Sequence, residues 1–413
     1  MILFRPIPVL LTAATCAAQS PREPVMRVLL DTDLESRIVD VFGIDQSGVT
    51  IIDETGVQRL IPLDTVAALA PIGDWHDASS DPALITRGGM TSRAGSVTLT
   101  DGQRLVGTPS VISIDDEFIA WSSPTLGIVG LPIESIRRIV MPRLMPTGEI
   151  TPPLAYGLDD VIQLANGDTL RGFLESVSAE ATIETNAGAL LAVDTANIDQ
   201  ITLANDPSEM SGAAFWLADG SVICMQNFET DHSGNEPVVV SMLEPEPIGP
   251  ALGDRTPSEA NTQPFGLTLS TPLRETLAIA FDSRRIIALS ALEHASEFRE
   301  IDIDQSGTPS LGSRHITMPG PMRTTWVLPQ SATRLAFNAT LPIDARAWGN
   351  LELIVRVDDK VIETQAISTE SPSAAINIDV AGNEFVSLEI DEAKFGPIQD
   401  KLVISNAIVL IGD

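Results

Sequence analysis

The sequence predicts an all-β chain: small five-stranded units in tandem, then a β-sandwich at the C-terminal end. Three observations carry this. Short runs of alternating apolar and polar residues, separated by turn clusters, fill the chain from about residue 26, and almost no stretch repeats at helical spacing. One hairpin motif recurs through the first half. From about residue 300 the motif stops and strand candidates follow one another to the end.

The first segment, MILFRPIPVLLTAATCAAQSPREP, stands outside that pattern. Arg5 opens a short positive region, the apolar stretch 7–18 is too short to span a membrane, and Ala18 closes a small-residue cleavage pattern. A signal peptide over 1–18 is expected, with a lipobox ending at Cys16 as the competing reading. The chain is then secreted, or periplasmic in the cell envelope, and no later apolar run reaches the ~18 residues of a membrane span. Removal of the leader leaves Cys224 alone, so no internal disulfide can form. The 413 residues carry 56 acidic and 25 basic side chains, a net charge of −31. That balance repels nucleic-acid phosphates and anionic lipid surfaces, and leaves neutral molecules, cations or basic proteins as partners.

The recurring motif is Leu-x-Asx-Gly-x-x-Leu-x-Gly. It reads LTDGQRLVG from Leu99 and LANGDTLRG from Leu164. LADGSVICM from Leu217 keeps the turn, but Met225 replaces the final Gly. LLDTDLESRIVD from Leu29 is a worn copy without the turn Gly. Asn166-Gly167 predicts a type I′ hairpin turn. Gly172 is expected to let its strand bend, and Met225 to change that bend. Each copy also ends alike, in IPLDTVAAL from Ile61, LPIESIRRI from Leu131, LAVDTANIDQI from Leu191 and IALSALEHA from Ile287.

About five short strands per copy fit an SH3-like or Sm-like barrel. Units that small are marginal alone and should pack on one another. The expected barrels cover 26–73, 95–142, 158–205 and 211–299. The last holds a Pro-rich acidic insertion at about 244–266. Linkers at 74–95 and 141–158 are rich in Gly, Pro, Ser and Thr.

Residues 300–413 have the strand count of a jelly-roll sandwich. In WGNLELIVRVDDKVIETQAIS, AAINIDVAGNEFVSLEI and the final strand after Asp400, the order resembles the NPCBM group of carbohydrate-binding modules. Gly349, the run IVRVDDKVI and the run IDVAG carry the resemblance. It implies a galactose-binding-like jelly roll of the kind found in secreted planctomycete proteins and attached to some glycosidases. It also implies a glycan as partner, held at a loop end. The residues available there are Trp326, Trp348, Asp391, Lys394, Asp400 and Asn406. Core packing competes for the two Trp residues. In the last loop Ile404 stands where the family has Trp.

Catalysis finds no support in spacing. His76, His232, His294 and His315 are scattered, and no zinc, nucleophile-elbow or phosphate-loop motif is present. Asp302 to Gly307 begins like a calcium loop, but the twelfth position is Ser313 rather than Glu, so a plain turn is expected. No cofactor or metal is implied. The functional expectation is an exported, non-catalytic protein that binds carbohydrate through its C-terminal module. Two alternatives stand beside it. One is a structural protein that docks other envelope proteins, and the other is an accessory part of a glycoside-degrading system.

Overall fold

The recurring motif builds the same local structure four times. The computed structural model describes residues 23–75, 84–87, 90–110, 118–146, 157–232, 238–243, 267–304, 308–347, 349–392 and 400–412. In the best-preserved copy the Leu164 N–H donates to the Asp168 carbonyl at 2.8 Å, and the Gly167 N–H to the Leu164 carbonyl at 2.9 Å. The same two bonds join Leu99 to Gln103 and Gly102, Leu217 to Ser221 and Gly220, and Asp31 to Glu35 and Leu34. Only the last loop residue is left-handed, with φ of 88°, 91° and 85° at Gly102, Gly167 and Gly220. The loop is therefore a type I turn followed by one left-handed residue, not the type I′ turn expected at Asn166-Gly167.

The side chain of the Asx residue explains the difference. Asn166 Oδ1 accepts from the Asp168 N–H at 3.0 Å, Asp101 Oδ1 from Gln103 at 3.0 Å, and Asp219 Oδ1 from Ser221 at 2.8 Å. Such an Asx turn holds its own residue right-handed. In the worn copy Leu34 takes the left-handed position at φ 56°, fixed by burial in an apolar cluster.

Each loop tip is clipped to a 3-10 turn late in the same unit. Thr100 donates to Ser135, Ala165 to Asn197 and Ala218 to Glu275, at 2.7–2.8 Å, and Thr32 to Thr65 at 3.3 Å. This is why two distant stretches match from copy to copy. Unit one runs Met26–Asp31, Ser36–Asp45, Gly48–Ile52, Gln58–Pro62 and, after the turn Leu63–Thr65, Val66–Ala70. In unit three the corresponding strands are Asp160–Leu164, Thr169–Val177, Glu180–Thr185, Leu190–Asp194 and Ile198–Thr202. The first strand of each pairs antiparallel with the second and the fifth, giving small barrels of order 5-1-2-3-4.

In unit four the closing turn is Leu273–Glu275, followed by Thr276–Ala280, and not the stretch from Ile287. Ile286–Ala288 pairs instead with the last strand of the chain, and His294–Glu297 with Met322–Val327. Residues 286–299 thus belong to the sandwich. Both stretches have an apolar-small-apolar rhythm, and rhythm alone does not choose a strand's partner. The 244–266 insertion lies outside the described residues.

Gly172 is required by close approach. A Cβ there would stand 2.0 Å from the Glu184 carbonyl oxygen, and one at Gly107 would stand 2.1 Å from that of Ser122. In unit four the strand stops at Met225 and resumes at Glu229–Asp231, a different course from unit three. The lost Gly does not account for it, since unit one runs unbroken through Val39 at this position. Unit two also breaks here, between Arg104–Val106 and Thr108–Pro109. Gly172→Ala is expected to cost about 1–3 kcal/mol through forced strand separation. A urea midpoint equal to wild type would contradict this.

The barrels associate through their fifth strands. Ile136–Val140 pairs with Ile198–Thr202, and Val66–Ala70 with Thr276–Ala280, so the barrels form pairs two-three and one-four. Every fifth strand carries a bulge at its second residue: Ala67, Arg137, Asp199 or Leu277. The exposed carbonyl of the bulge then binds the partner barrel. Met141 donates to Asp199 at 3.0 Å, Leu203 to Arg137 at 2.9 Å and Phe281 to Ala67 at 3.2 Å. The fourth such donor would be Pro71, which has no N–H.

The last block is a jelly-roll sandwich of two antiparallel sheets around one apolar core. The inner sheet is crossed by the long strand Lys401–Ile411. The outer one orders His294–Glu297, Met322–Val327, Phe385–Glu392, Asn350–Val357 and Lys360–Ser368 side by side. The sandwich packs on barrel pair one-four. There the paired strands read VAALA and TLAIA, and Ala67, Ala68, Ala70, Ala278 and Ala280 form one cluster with Ile408 and Leu410. Pair two-three has Arg138, Val140, Gln200 and Thr202 in the positions of Ala68, Ala70, Ala278 and Ala280. Of these two fifth-strand pairs the alanine one is the apolar one, and the sandwich sits on it.

Candidate functional site

The residues expected at one loop end are dispersed. Trp326 is fully buried, because its strand alternates inward at that position, and it packs in the sandwich core. Asp400 is also buried, with its carbonyl accepting the Gly320 N–H at 2.6 Å. Asn406 lies about 20 Å further along the same strand, at ~3.3 Å per residue. It is left-handed at φ 53°, on a bulge, and its amide grips the barrel side. Its Oδ1 accepts from the Trp75 N–H at 2.9 Å and its Nδ2 donates to the Gly73 carbonyl at 3.1 Å. Asn406 is thus a docking residue. Asp391 is exposed on the outer sheet, opposite Glu352. Trp348 and Lys394 lie outside the described residues.

A different set converges on the outer face of the outer sheet. Strand Met322–Val327 turns Arg323, Thr325 and Val327 outward, and strand Phe385–Glu392 turns Phe385, Ser387 and Glu389 outward. The register puts Arg323 beside Glu389, Thr325 beside Ser387 and Val327 beside Phe385. Arg356 on the next strand sits beside Ser387. Thr325 and Ser387 hydroxyls share a hydrogen bond at 2.8 Å, and Arg323 Nη2 donates to Ser387 Oγ at 3.3 Å and to the Asp359 carboxylate. Arg356 Nε donates to Glu389 Oε2 at 2.8 Å.

The arginines cover Ser387, which is buried although it faces outward. The face thus presents two oriented guanidinium groups and a carboxylate, Arg356 and Glu389 fixed by one another and Arg323 by Asp359 and Ser387. Val327 and Phe385, 42% and 41% exposed, form an apolar edge. The backbone of Phe385 is pinned, its N–H donating to Asp358 Oδ1 at 3.0 Å. The alternation inside MRTTWV and FVSLEI was readable in the sequence. Their adjacency was not, because some sixty residues separate the two runs.

Other reactive groups are structural. The Cys224 thiol is buried, donates to the Ser211 carbonyl at 2.6 Å, and burial raises its pKa to about 11, so it is protonated at neutral pH. An open groove of about 380 Å³ between barrels two and three is lined by Arg137, Leu158, Asn205 and Asp206. Its Asn205 Nδ2 is already engaged by the Ile133 and Ile136 carbonyls at 2.8 and 2.7 Å. Among the described residues no group of three or more His, Cys, Asp or Glu side chains is placed to hold a metal. Residues 305–307 of the calcium-like turn lie outside those described. Among the described residues no helix is long and apolar enough to cross a membrane.

No protein-family profile matches the chain, and no curated protein matches it. Among solved structures it is similar to the CBM51 module of Clostridium perfringens GH95, solved with methyl-galactose. The identity is 12% and the TM-score 0.26, over 30% of this chain and 99% of that one. A second is the CBM51-2 and INT domains of C. perfringens ZmpB with GlcNAc, at 12% identity and TM-score 0.28, over 45% of this chain and 37% of that one. A third is the tandem CBM51 modules of the family 98 glycoside hydrolase Sp3GH98 from Streptococcus pneumoniae SP3-BS71. It has 10% identity and a TM-score of 0.26, over 94% of this chain and 88% of that one.

Proposed function

We propose that this is an exported, non-catalytic carbohydrate-binding protein whose ligand lies on the outer face of the sandwich. One observation carries the reading: Arg323, Arg356 and Glu389 are held in fixed positions on the same sheet face as the exposed Phe385, which lies two residues before Ser387 and four before Glu389 on one strand. A pyranose presents neighbouring hydroxyls on its rim and C–H groups on its faces. A guanidinium donates to a hydroxyl oxygen, a carboxylate accepts from its proton, and an aromatic ring covers the C–H face. Pre-set side chains lose little entropy on binding.

The test is a glycan array followed by titration calorimetry with the full chain. Phe385→Ala and Arg356→Ala are each expected to weaken a positive glycan at least about 10-fold, or about 1.4 kcal/mol. Absence of any bound glycan, or binding indifferent to both changes, would sink the proposal.

A second reading, a structural protein of the cell envelope, is favoured by Trp326 and Asn406. Both are committed to packing and docking rather than to a ligand. In that reading the barrels are the working surface, and the sandwich is a clamp.

A further inference from the structure

The fourth strand of each barrel is an edge. Among the described residues, Gln58–Pro62, Gly127–Pro132, Leu190–Asp194 and Leu267–Pro272 each pair only with the third strand of their own barrel. An open edge invites an extra strand, and proteins blunt it with Pro, Gly irregularity or cationic side chains. Barrel one has Arg59 and Pro62, barrel two has Gly127, Gly130 and Pro132, and barrel four has Pro272. Barrel three reads Leu-Leu-Ala-Val-Asp, with no Pro, Gly or cation, and its one charge, Asp194, stands at the strand's end and caps the following turn.

That edge is also bare. Leu190 is 61% exposed, and Phe173, in the same row across Glu184, is 67% exposed. Thr185 donates to Ala189 and Thr195 to Ala179, which fixes the phase of the ladder between the third and fourth strands. By that phase Leu190 and Ala192 turn their N–H and C=O groups away from the barrel. The exposed charges on the third and fourth strands are acidic, Glu180, Glu184 and Asp194, with Arg171 the cation on the second strand two residues before Phe173, on a chain of net charge −31. A second copy would bring the same acids against each other. The chain already joins its barrels by antiparallel strand pairing, between fifth strands and at Asp45–Glu229 and Val222–Arg104.

We propose that strand Leu190–Asp194 is a docking edge for an extended basic segment of another protein. That segment adds as a further strand, its backbone pairing with Leu190 and Ala192. Its apolar residues pack on Leu190, and its Lys or Arg side chains meet Glu180, Glu184 and Asp194. This does not depend on the glycan reading, which concerns the sandwich.

The test uses the full chain and three fluorescent hexapeptides: alternating Arg-Val, alternating Glu-Val, and Arg-Val with alternate amides N-methylated. Saturable anisotropy is expected for Arg-Val alone, weakening with salt, with at least about a 10-fold loss on N-methylation because the ladder donors are gone. Leu190→Lys and Ala192→Pro should each lose the same factor. The N-methylated peptide keeps the test decisive if Ala192→Pro does not fold. Equal binding of the N-methylated peptide would reduce the interaction to charge alone and overturn the proposal. So would binding unchanged in Leu190→Lys, or sedimentation showing a dimer that Leu190→Lys dissolves, since a second copy would then occupy the edge.

Discussion

Replacing Trp75 by alanine is expected to release the sandwich from the barrels while both remain folded. The indole is 5% exposed and lies in the one apolar cluster shared by barrels one and four and the sandwich, with Leu34, Ala68, Leu311, Ile408 and Leu410. The backbone around it is bound from the other side. The Trp75 N–H donates to Asn406 at 2.9 Å, the Ser310 N–H donates to the Trp75 carbonyl at 3.3 Å, and Asp74 bonds His315 at 2.7 Å. Removing an indole from such a site costs about 3–5 kcal/mol. Neither domain core contains Trp75, so the loss falls on docking. Calorimetry should then resolve two transitions, and protease should cut between residues 280 and 286 faster than in wild type. Asn406→Ala should act the same way more weakly, by about 1–3 kcal/mol, because the Trp75 N–H loses its acceptor. A single transition at the wild-type temperature in Trp75→Ala would show that the alanine face alone holds the sandwich.

The docking explains which parts of the molecule could be read from sequence. Local chemistry was legible wherever it acts within a few residues. The Asx-Gly loops, the strand alternation and the expectation that small barrels pack together all rest on such short-range rules. The type I′ turn was misjudged because Asn166 tolerates a left-handed backbone, and nothing in the pair Asn-Gly tells whether its side chain will bond Asp168 instead. Leu34 shows the reverse case. No propensity rule places leucine at positive φ, and it sits there because tertiary burial outweighs local strain.

Residues whose role depends on pairing over long separations were opaque. Ile286–Ala288 resembled a barrel terminus and became a sandwich strand. Asn406 resembled a loop ligand and became a clamp on Gly73 and Trp75. The candidate glycan face is made by neighbours across strands, so its residues are individually ordinary. The bare edge of barrel three is a difference among four fourth strands in one register, and no single run carries it.

Asp199→Ala should loosen the junction of barrels two and three, and the repeat itself supplies the control. Asp199 Oδ1 accepts from Arg93 Nη2 at 2.7 Å and from Arg143 Nη1 at 3.2 Å, and the carboxylate is almost fully buried. Arg93 precedes barrel two, Arg143 follows it, and Asp199 belongs to barrel three, so the triad closes the two-three junction. Arg93 also reaches the Met141 carbonyl at 3.1 Å, and Arg143 reaches Ala165 at 3.1 Å. Without the carboxylate, two guanidinium charges face each other in a partly dry junction. Breaking such a set costs about 3–5 kcal/mol, with the lower end favoured because Arg143 keeps some water.

The bulge does not need the acid. The same position is Ala67 in barrel one and Leu277 in barrel four, with the same one-residue slip in register. The backbone of Asp199→Ala should therefore stay in place, and the loss should be electrostatic. Adding Arg93→Met to Asp199→Ala is then expected to recover part of the stability by removing a stranded charge. Urea denaturation of the three variants measures this. If the double variant is no more stable than Asp199→Ala, or if Asp199→Ala costs under about 1 kcal/mol, the junction is held by the Ile139–Ile201 ladder and its apolar neighbours, and the triad is incidental.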